Sequence, residues 1–232
     1  MDRGIIHFHS NYSFDSKTSI SSIVDFLVNN NLKFALLCDH DTIIGSKKLN
    51  DEIKKRNLNI EVPISAEYKT SNGDIIAAFI EKEIKSMEFD EFVSEVKDGG
   101  GILLFPHPFD NHKSIDKIVD KIDVIEEFNG RSSNENNLKS KTLAVKNSKP
   151  TYFASDAHTF FSLANVIVAK PSNIGLKQAL LDNRIQLLSK RNSSYSDLYL
   201  SQIIKSFKMK KIKLFLQTNI DLLRHLKQKF KI

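Results

Sequence analysis

Cysteine is almost missing from this chain of 232 residues: Cys38 stands alone, which excludes an internal disulfide framework and points to a reducing, cytoplasmic setting. No stretch approaches the ~18 uninterrupted apolar residues of a membrane span. The apolar run after Met1-Asp2-Arg3-Gly4 is too short for a signal peptide and is interrupted by His7 and His9. Trp is absent while Lys and Asn abound, which we read as genome base composition and not mechanism. There is no internal repeat, no low-complexity linker and no Gly-rich phosphate loop of Walker type. The Gly99-Gly100-Gly101 run precedes a strand pattern where such a loop would precede a helix. An even spread of charge is lacking too. The formal net charge is +6, yet from Lys190 onward eleven Lys or Arg face only two acids, Asp197 and Asp221. The other residues carry 23 bases and 26 acids, a net of −3, so the basic pI of 9.2 belongs to the tail. That excludes a uniformly basic protein of the histone kind.

What is present is an ordinary globular composition, 41% hydrophobic and 27% charged, at a length that suits one larger domain or a domain with an appendage. Short apolar runs alternate with segments of helical period, the pattern of βαβ units. Strands are expected at Ile5 to His9, Phe34 to Cys38, Ile60 to Ala66, Asp74 to Ile80, Ile102 to Phe105, Val124 to Phe128, Thr151 to Ala154 and Val166 to Ala169. Helices are expected at Ile20 to Val28 (with Ser19 as N-cap), Gly45 to Arg56, Phe89 to Lys97, Ile115 to Lys121, Asn134 to Lys146 and Leu176 to Asp182. Ser71-Asn72-Gly73 reads as a turn. The polar stretch from Lys190 to Ser194 is the weakest point of the chain. It divides a body, 1–192, from a basic, mainly helical extension, 193–232.

The chemistry gathers at strand ends. His7-Phe8-His9 puts two imidazoles two residues apart on a strand, hence on one face. Asp39-His40-Asp41 follows the second strand, Glu67 the third and Pro106-His107-Pro108 the ILLF strand, and Asp156 and His158 follow TYFA. Each motif alone is unremarkable. Their shared position is not: in a parallel α/β barrel the C-terminal ends of the strands open onto one rim, where active sites are built. Imidazoles and carboxylates together suit Zn, Mn or Fe. Were two such ions to share a water they would lower its pKa, and hydroxide held between them would be the nucleophile. A Cys nucleophile is unsupported, since Cys38 sits in an apolar strand. Arg131, at the end of the EEFNG segment and on the expected rim, is the candidate clamp for an oxyanion such as phosphate, whose oxygens its planar fork matches. Asp39 and Asp41 are candidates to orient His40.

In order along the chain, His7-Phe8-His9-Ser10, Ser13-Phe14-Asp15, Cys38-Asp39-His40-Asp41, Glu67, Pro106-His107-Pro108, Glu127-Phe128-Asn129-Gly130-Arg131 and Ser155-Asp156-Ala157-His158 resemble the PHP family. These are the metal-dependent phosphoesterases named for polymerase and histidinol phosphatase. The resemblance runs from residue 5 to about residue 170 and implies an α/β fold, a distorted seven-stranded β/α TIM-like barrel, here with a C-terminal helical extension. It implies two or three divalent ions and hydrolysis of phosphate esters, with Asp156, His158 and Glu67 at the catalytic centre. By resemblance, His7, His9, Glu67 and Asp156 ligate one ion, Glu67 and His107 a second, and Asp15, His40 and His158 a third. Asp15 stands where some members have His, which shifts preference toward harder ions such as Mn. Many members also carry a His where this chain has Ile76, so the second ion has one imidazole fewer, with Asn129 and His112 as possible substitutes.

The substrate class expected is a phosphomonoester or a nucleotide or oligonucleotide phosphodiester. The rivals are a histidinol-phosphate phosphatase, for which no pocket is identified, and a non-catalytic metal-binding or polymerase-accessory module, which should have lost ligands that this chain keeps. In the extension, Ile203, Phe207, Leu216, Ile220, Leu223, Leu226 and Phe230 recur near helical spacing beside Lys208, Lys210, Lys211 and Lys213. That pattern reads as helices packed on the body, or as a basic surface that attracts a polyanion, or more weakly as a membrane-surface helix.

Overall fold

The apolar runs do become strands, but not one closed ring of them. A computed structural model describes residues 1–230 of the chain, with side chains described through residue 225, so Leu226 and Phe230 of the expected tail stripe fall outside the described side chains. In chain order the elements are β1 (Asp2–Phe8), α1 (Ile20–Asn29), β2 (Phe34–Leu37), α2 (Ile44–Lys55), β3 (Ser65–Thr70), β4 (Gly73–Ala78), α3 (Phe89–Asp98), β5 (Ile102–Phe105) and α4 (Ile115–Lys121). They continue with β6 (Val124–Asn129), α5 (Asn134–Lys146), β7 (Thr151–Ala154), a 3₁₀ turn (Phe160–Asn165), β8 (Val166–Lys170), α6 (Leu176–Leu181), β9 (Gln186–Lys190), α7 (Tyr195–Lys208) and α8 (Ile212–Phe230). Ser19 caps α1 as expected, its hydroxyl accepting from the Ser22 amide.

The strands form two sheets, β2-β1-β8-β9 and β3-β4-β5-β6-β7, so the structure shows a mixed α/β fold and not a closed form of the expected distorted seven-stranded TIM-like barrel. The pairings β1–β2, β5–β6 and β6–β7 are parallel; β1–β8, β3–β4, β4–β5 and β8–β9 are antiparallel. Local chain length decides this. Only Ser71 and Asn72 separate β3 from β4, and so short a link can join only antiparallel strands, because a parallel pair needs a crossover of a dozen residues. The expected strand from Ile60 to Ala66 is also displaced. Pro63 cannot donate to a ladder, so Glu61 makes only an isolated bridge to Phe34 and the strand begins at Ser65. The exposed strand β9 has no alternation to betray it. Among the described residues no helix is long and apolar enough to cross a membrane.

The two sheets face each other across an inner core of Ile6, Leu36, Ile76, Leu104, Val124 and Val168. Helices α1 and α2 cover the outside of the smaller sheet through Ile23, Leu27, Leu49 and Ile53. Helices α3 and α4 cover the larger one through Phe92, Val96 and Ile118. Isolated bridges, Phe8 to Ala157 and His40 to Glu67, bring the sheets together at one end. That end holds the histidines.

Candidate metal centre

Strict alternation along β1 would place His7 with Ile5, on the helix-facing side. A β-bulge prevents it: the register with β2 slips between Ile6 and Phe8, and His7 takes a left-handed φ of 54°. Ile5 and Phe8 keep to the outer core and Ile6 to the inner one, while His7 and His9 are both fully buried with ring centroids 5.4 Å apart. His107 and Asp156 also have positive φ, 30° and 50°. Non-glycine residues in this region are strained, and such strain concentrates at functional sites.

Glu67 is the hub. Its Oε2 lies 3.3 Å from His7 Nε2, 3.5 Å from His9 Nε2 and 3.4 Å from His40 Nδ1, and its Oε1 lies 2.9 Å from His107 Nε2. Asp156 Oδ1 lies 3.2 Å from His9 Nε2 and 3.6 Å from His7 Nε2. Asp15 Oδ2 lies 3.3 Å from His40 Nε2 and 3.2 Å from His158 Nε2. All eight residues singled out as metal ligands are thus brought together, in three overlapping groups: His7, His9 and Asp156; His7, Glu67 and His107; and His9, Asp15, His40 and His158. Glu67 lies within β3 and not after a strand, because β3 begins later than expected.

The donor set fits divalent ions. Ligands about 2.0–2.1 Å from a tetrahedral ion stand roughly 3.3–3.4 Å apart, close to most of the separations above. The outward ring nitrogens of His7 and His158 are engaged, as is usual for metal-ligating imidazoles, while that of His107 is buried without a partner. His7 Nδ1 is 2.9 Å from Glu126 Oε1, and His158 Nδ1 donates to the Asp156 carbonyl at 2.9 Å. Charge points the same way. Burial alone would raise the pKa of Glu67 and Asp156, but the surrounding imidazoles hold both carboxyls well below the usual range. Burial alone would lower His7, His40 and His107, yet the carboxylates outweigh it and raise all three, the latter two to about 9. His9 goes the other way, to about 3, because burial and the charges of His158 and His40 prevail. In the ion-free chain, protons on histidines balance the buried carboxylates; divalent ions would replace them.

Glu126 was not legible as a site residue, although the sequence carried a signal. Alternation through Val124 places Glu126 on the inner face, whereas Glu127 pairs outward with Lys141. Buried to 1%, Glu126 holds His7 through one oxygen and accepts from the His107 amide (2.6 Å) and Asn129 Nδ2 (2.8 Å) through the other. Glu126→Gln should weaken metal affinity about 10- to 100-fold, the usual effect of losing a partner behind a ligand. Competition against a chelating dye measures it, with circular dichroism to show a folded chain.

The remaining candidates divide. Asp39 does not touch His40; both its oxygens accept from Ser10, from the amide and the hydroxyl, each at 2.6 Å. It fixes the turn after β1, and burial pushes its carboxyl up to about 6. Asp41 accepts from the Lys69 amide, again not from His40. Ile76 pairs with Glu67 in register and sits in the inner core. His112 Nε2 donates to the Asp74 carbonyl with its ring centroid 5.5 Å from that of His107, and Asn129 Nδ2 bridges Glu126 and Asp156. Arg131 is on the rim, its Nε 3.8 Å from Asp156 Oδ2 and its Nη atoms donating to Ser201 Oγ. With Asp74, His107, Asn129 and Asp156 it lines a cavity of about 240 Å³.

No family model matches the chain. Solved structures share its fold. A two-domain protein of Bacteroides vulgatus containing a predicted PHP-like metal-dependent phosphoesterase superposes with a TM-score of 0.66 at 18% identity, over 81% of this chain and 64% of that one. The chain therefore spans less than two thirds of that protein's length. An amidohydrolase of Chromobacterium violaceum, solved with bound sulfate and no metal, gives 0.59 at 15% identity over 79% of this chain and 97% of that one. The fold is that of the PHP-like metal-dependent phosphoesterases. In sequence, the chain is 28% identical to Uncharacterized protein MJ0417 of Methanocaldococcus jannaschii over 194 residues, 75% of this chain and 76% of that protein. It is 30% identical to Uncharacterized protein MJ1587 of the same organism over 141 residues, 53% of this chain and 80% of that protein, and it belongs to one family with it.

Proposed function

We propose that the chain is a metal-dependent phosphoesterase acting on phosphomonoesters or on nucleotide and oligonucleotide phosphodiesters. The observation that carries this reading is Glu67, whose Oε1 faces His107 while its Oε2 faces His7, His9 and His40. A carboxylate shared in this way could hold more than one ion, with one oxygen toward each. Divalent ions so held would supply Lewis acidity to a phosphate ester and activate water for in-line attack. His7, His9, Glu67 and Asp156 would hold one ion, Glu67 and His107 a second, and Asp15, His40 and His158 a third, with Mn, Zn or Fe as the candidates. The chain's own part is to fix these donors and to offer Arg131 to the phosphate from the cavity wall. The body would be 1–192 and the basic extension 193–232, of which α7 lies against the body.

The test is a panel of p-nitrophenyl phosphate, a bis-ester, nucleotides and short oligonucleotides, with the chain loaded with Mn, Zn or Fe. Phosphate release is expected; a chain with stoichiometric bound metal and no turnover of any member would sink the reading. Arg131→Ala should lower kcat/KM about 10- to 100-fold, the worth of one charged hydrogen bond. The metal content should be unchanged, as measured on the same preparations.

A further inference from the structure

One face of α7 touches three of the segments that carry the rim, those of Asp15, Arg131 and His158. Asp197, Ser201, Lys205 and Lys208 follow one another at intervals of four, four and three residues, hence on one side of a helix. Asp197 accepts from the hydroxyl of Thr159, the neighbour of His158, at 2.7 Å. Ser201 accepts from Arg131. The Lys205 ammonium lies 4.8 Å from the centroid of Phe14, and Phe14 stacks on His40 with centroids 4.5 Å apart and planes within 9°. Lys208 Nζ donates to three backbone carbonyls, those of Asn11 (2.7 Å), Ser13 (2.7 Å) and Ser16 (2.8 Å).

Those three carbonyls belong to the turn that bears Asp15. The turn is also held by backbone pairs from Asn11 to Thr18 and from Ser13 to Ser10, by Ser13 Oγ accepting from the His40 amide, by Ser16 Oγ donating to the His9 carbonyl, and by the stack of Phe14 on His40; Lys208 is the group that gathers three of its carbonyls. An ammonium that takes all three of its hydrogen bonds from one turn fixes that turn's carbonyls at a single point. It thereby fixes Asp15 against His40 and His158. We propose that α7 is a clip that shapes the rim and that Lys208 is a positioning residue for the Asp15, His40 and His158 donor group. The basic extension then spends Lys205 and Lys208 on the chain itself and not on a polyanion. This inference rests on the metal-site reading given above.

Lys208→Ala leaves three carbonyls around a space the size of an ammonium group and of the three carbons before it. The expected result is one equivalent of Mn²⁺ bound about 10- to 100-fold more weakly than in the parent chain, the other equivalents being kept. Millimolar propylammonium should restore it, and tetramethylammonium, which has no N–H to donate, should not. Chelator competition gives the affinities without recourse to turnover, and hydrogen exchange should quicken at residues 11–18 and not in β2. Unaltered Mn²⁺ affinity in K208A overturns the clip, as does a loss that both amines or neither amine reverse. If K208A proves unfolded, Lys208→Met keeps the apolar stem and removes only the donor, and unaltered affinity there overturns it equally. A parent chain that binds no divalent ion is a different result: it refutes the metal centre itself.

Discussion

Glu67→Gln is expected to strip at least one divalent ion from the protein and to reduce hydrolysis roughly 10³-fold or more, the order lost when a group that stabilises transition-state charge is removed. The carboxylate is 1% exposed and lies within 3.5 Å of nitrogens from His7, His9, His40 and His107. An amide of the same shape keeps the packing of β3 against β4, so secondary structure should not change. It takes away the one charge common to the imidazoles and turns an acceptor oxygen into an N–H donor that opposes ring nitrogens needed as ligands. No other acid touches so many of them, since Asp156 reaches His7, His9 and His158 and Asp15 reaches His40 and His158. Metal analysis after dialysis, beside initial rates with added Mn²⁺, measures the effect. Full metal occupancy with unimpaired turnover in E67Q would remove Glu67 from the centre.

The residues of the cluster could be read from the sequence because metal chemistry permits few residue types and because βα units deliver them at strand ends. Asp156 and His158 after TYFA and His40 after FALLC are where that rule puts them. His7 was placed on the rim by the same rule, but for an incomplete reason: alternation from Ile5 sends it outward, and the bulge that turns it inward has no sequence signature beyond the histidine pair itself. Sheet closure was beyond reach for a related cause. Apolar runs announce strands but not their direction, and here a two-residue turn and Pro63 set the pairing of β3. The partners behind the ligands were hardest to find. Glu126 lay one position from the residue quoted for its motif, and Asp39 was close to His40 in sequence but bonded Ser10. Such roles depend on contacts between segments distant in the chain. So does α7, whose basic face reads equally well as packed on the body or open to a polyanion until its partners are placed: Thr159, Arg131 and the Asp15 turn.

Chelation should abolish hydrolysis, restored when Mn²⁺, Zn²⁺ or Fe²⁺ is returned, and should also reverse the dependence of stability on pH. In the ion-free chain His40 and His107 titrate near 9, burial being outweighed by Glu67, Asp15 and Asp156. A group whose folded pKa is raised above its unfolded value, ~6.5 for His, gives stability that is complete below that value and is lost as pH rises through the folded one. The ion-free protein should thus soften between about pH 6.5 and 9. His9, depressed to about 3, acts in the opposite window: its contribution is present above ~6.5 and lost as pH falls toward 3. Stability without ions should therefore peak near pH 6.5, falling on the alkaline side by about 2–4 °C in Tm for each kcal/mol of linkage in a chain of this size. Bound ions displace those protons, and because ligation needs neutral imidazole, affinity climbs with pH over the same interval. At a hundredfold excess over Kd the ions add about 2.7 kcal/mol. The gap in Tm between loaded and stripped protein should consequently be wider at pH 8.5 than at 6.5, as measured by calorimetry at fixed free metal. Parallel curves would mean that the ions are not held by these histidines.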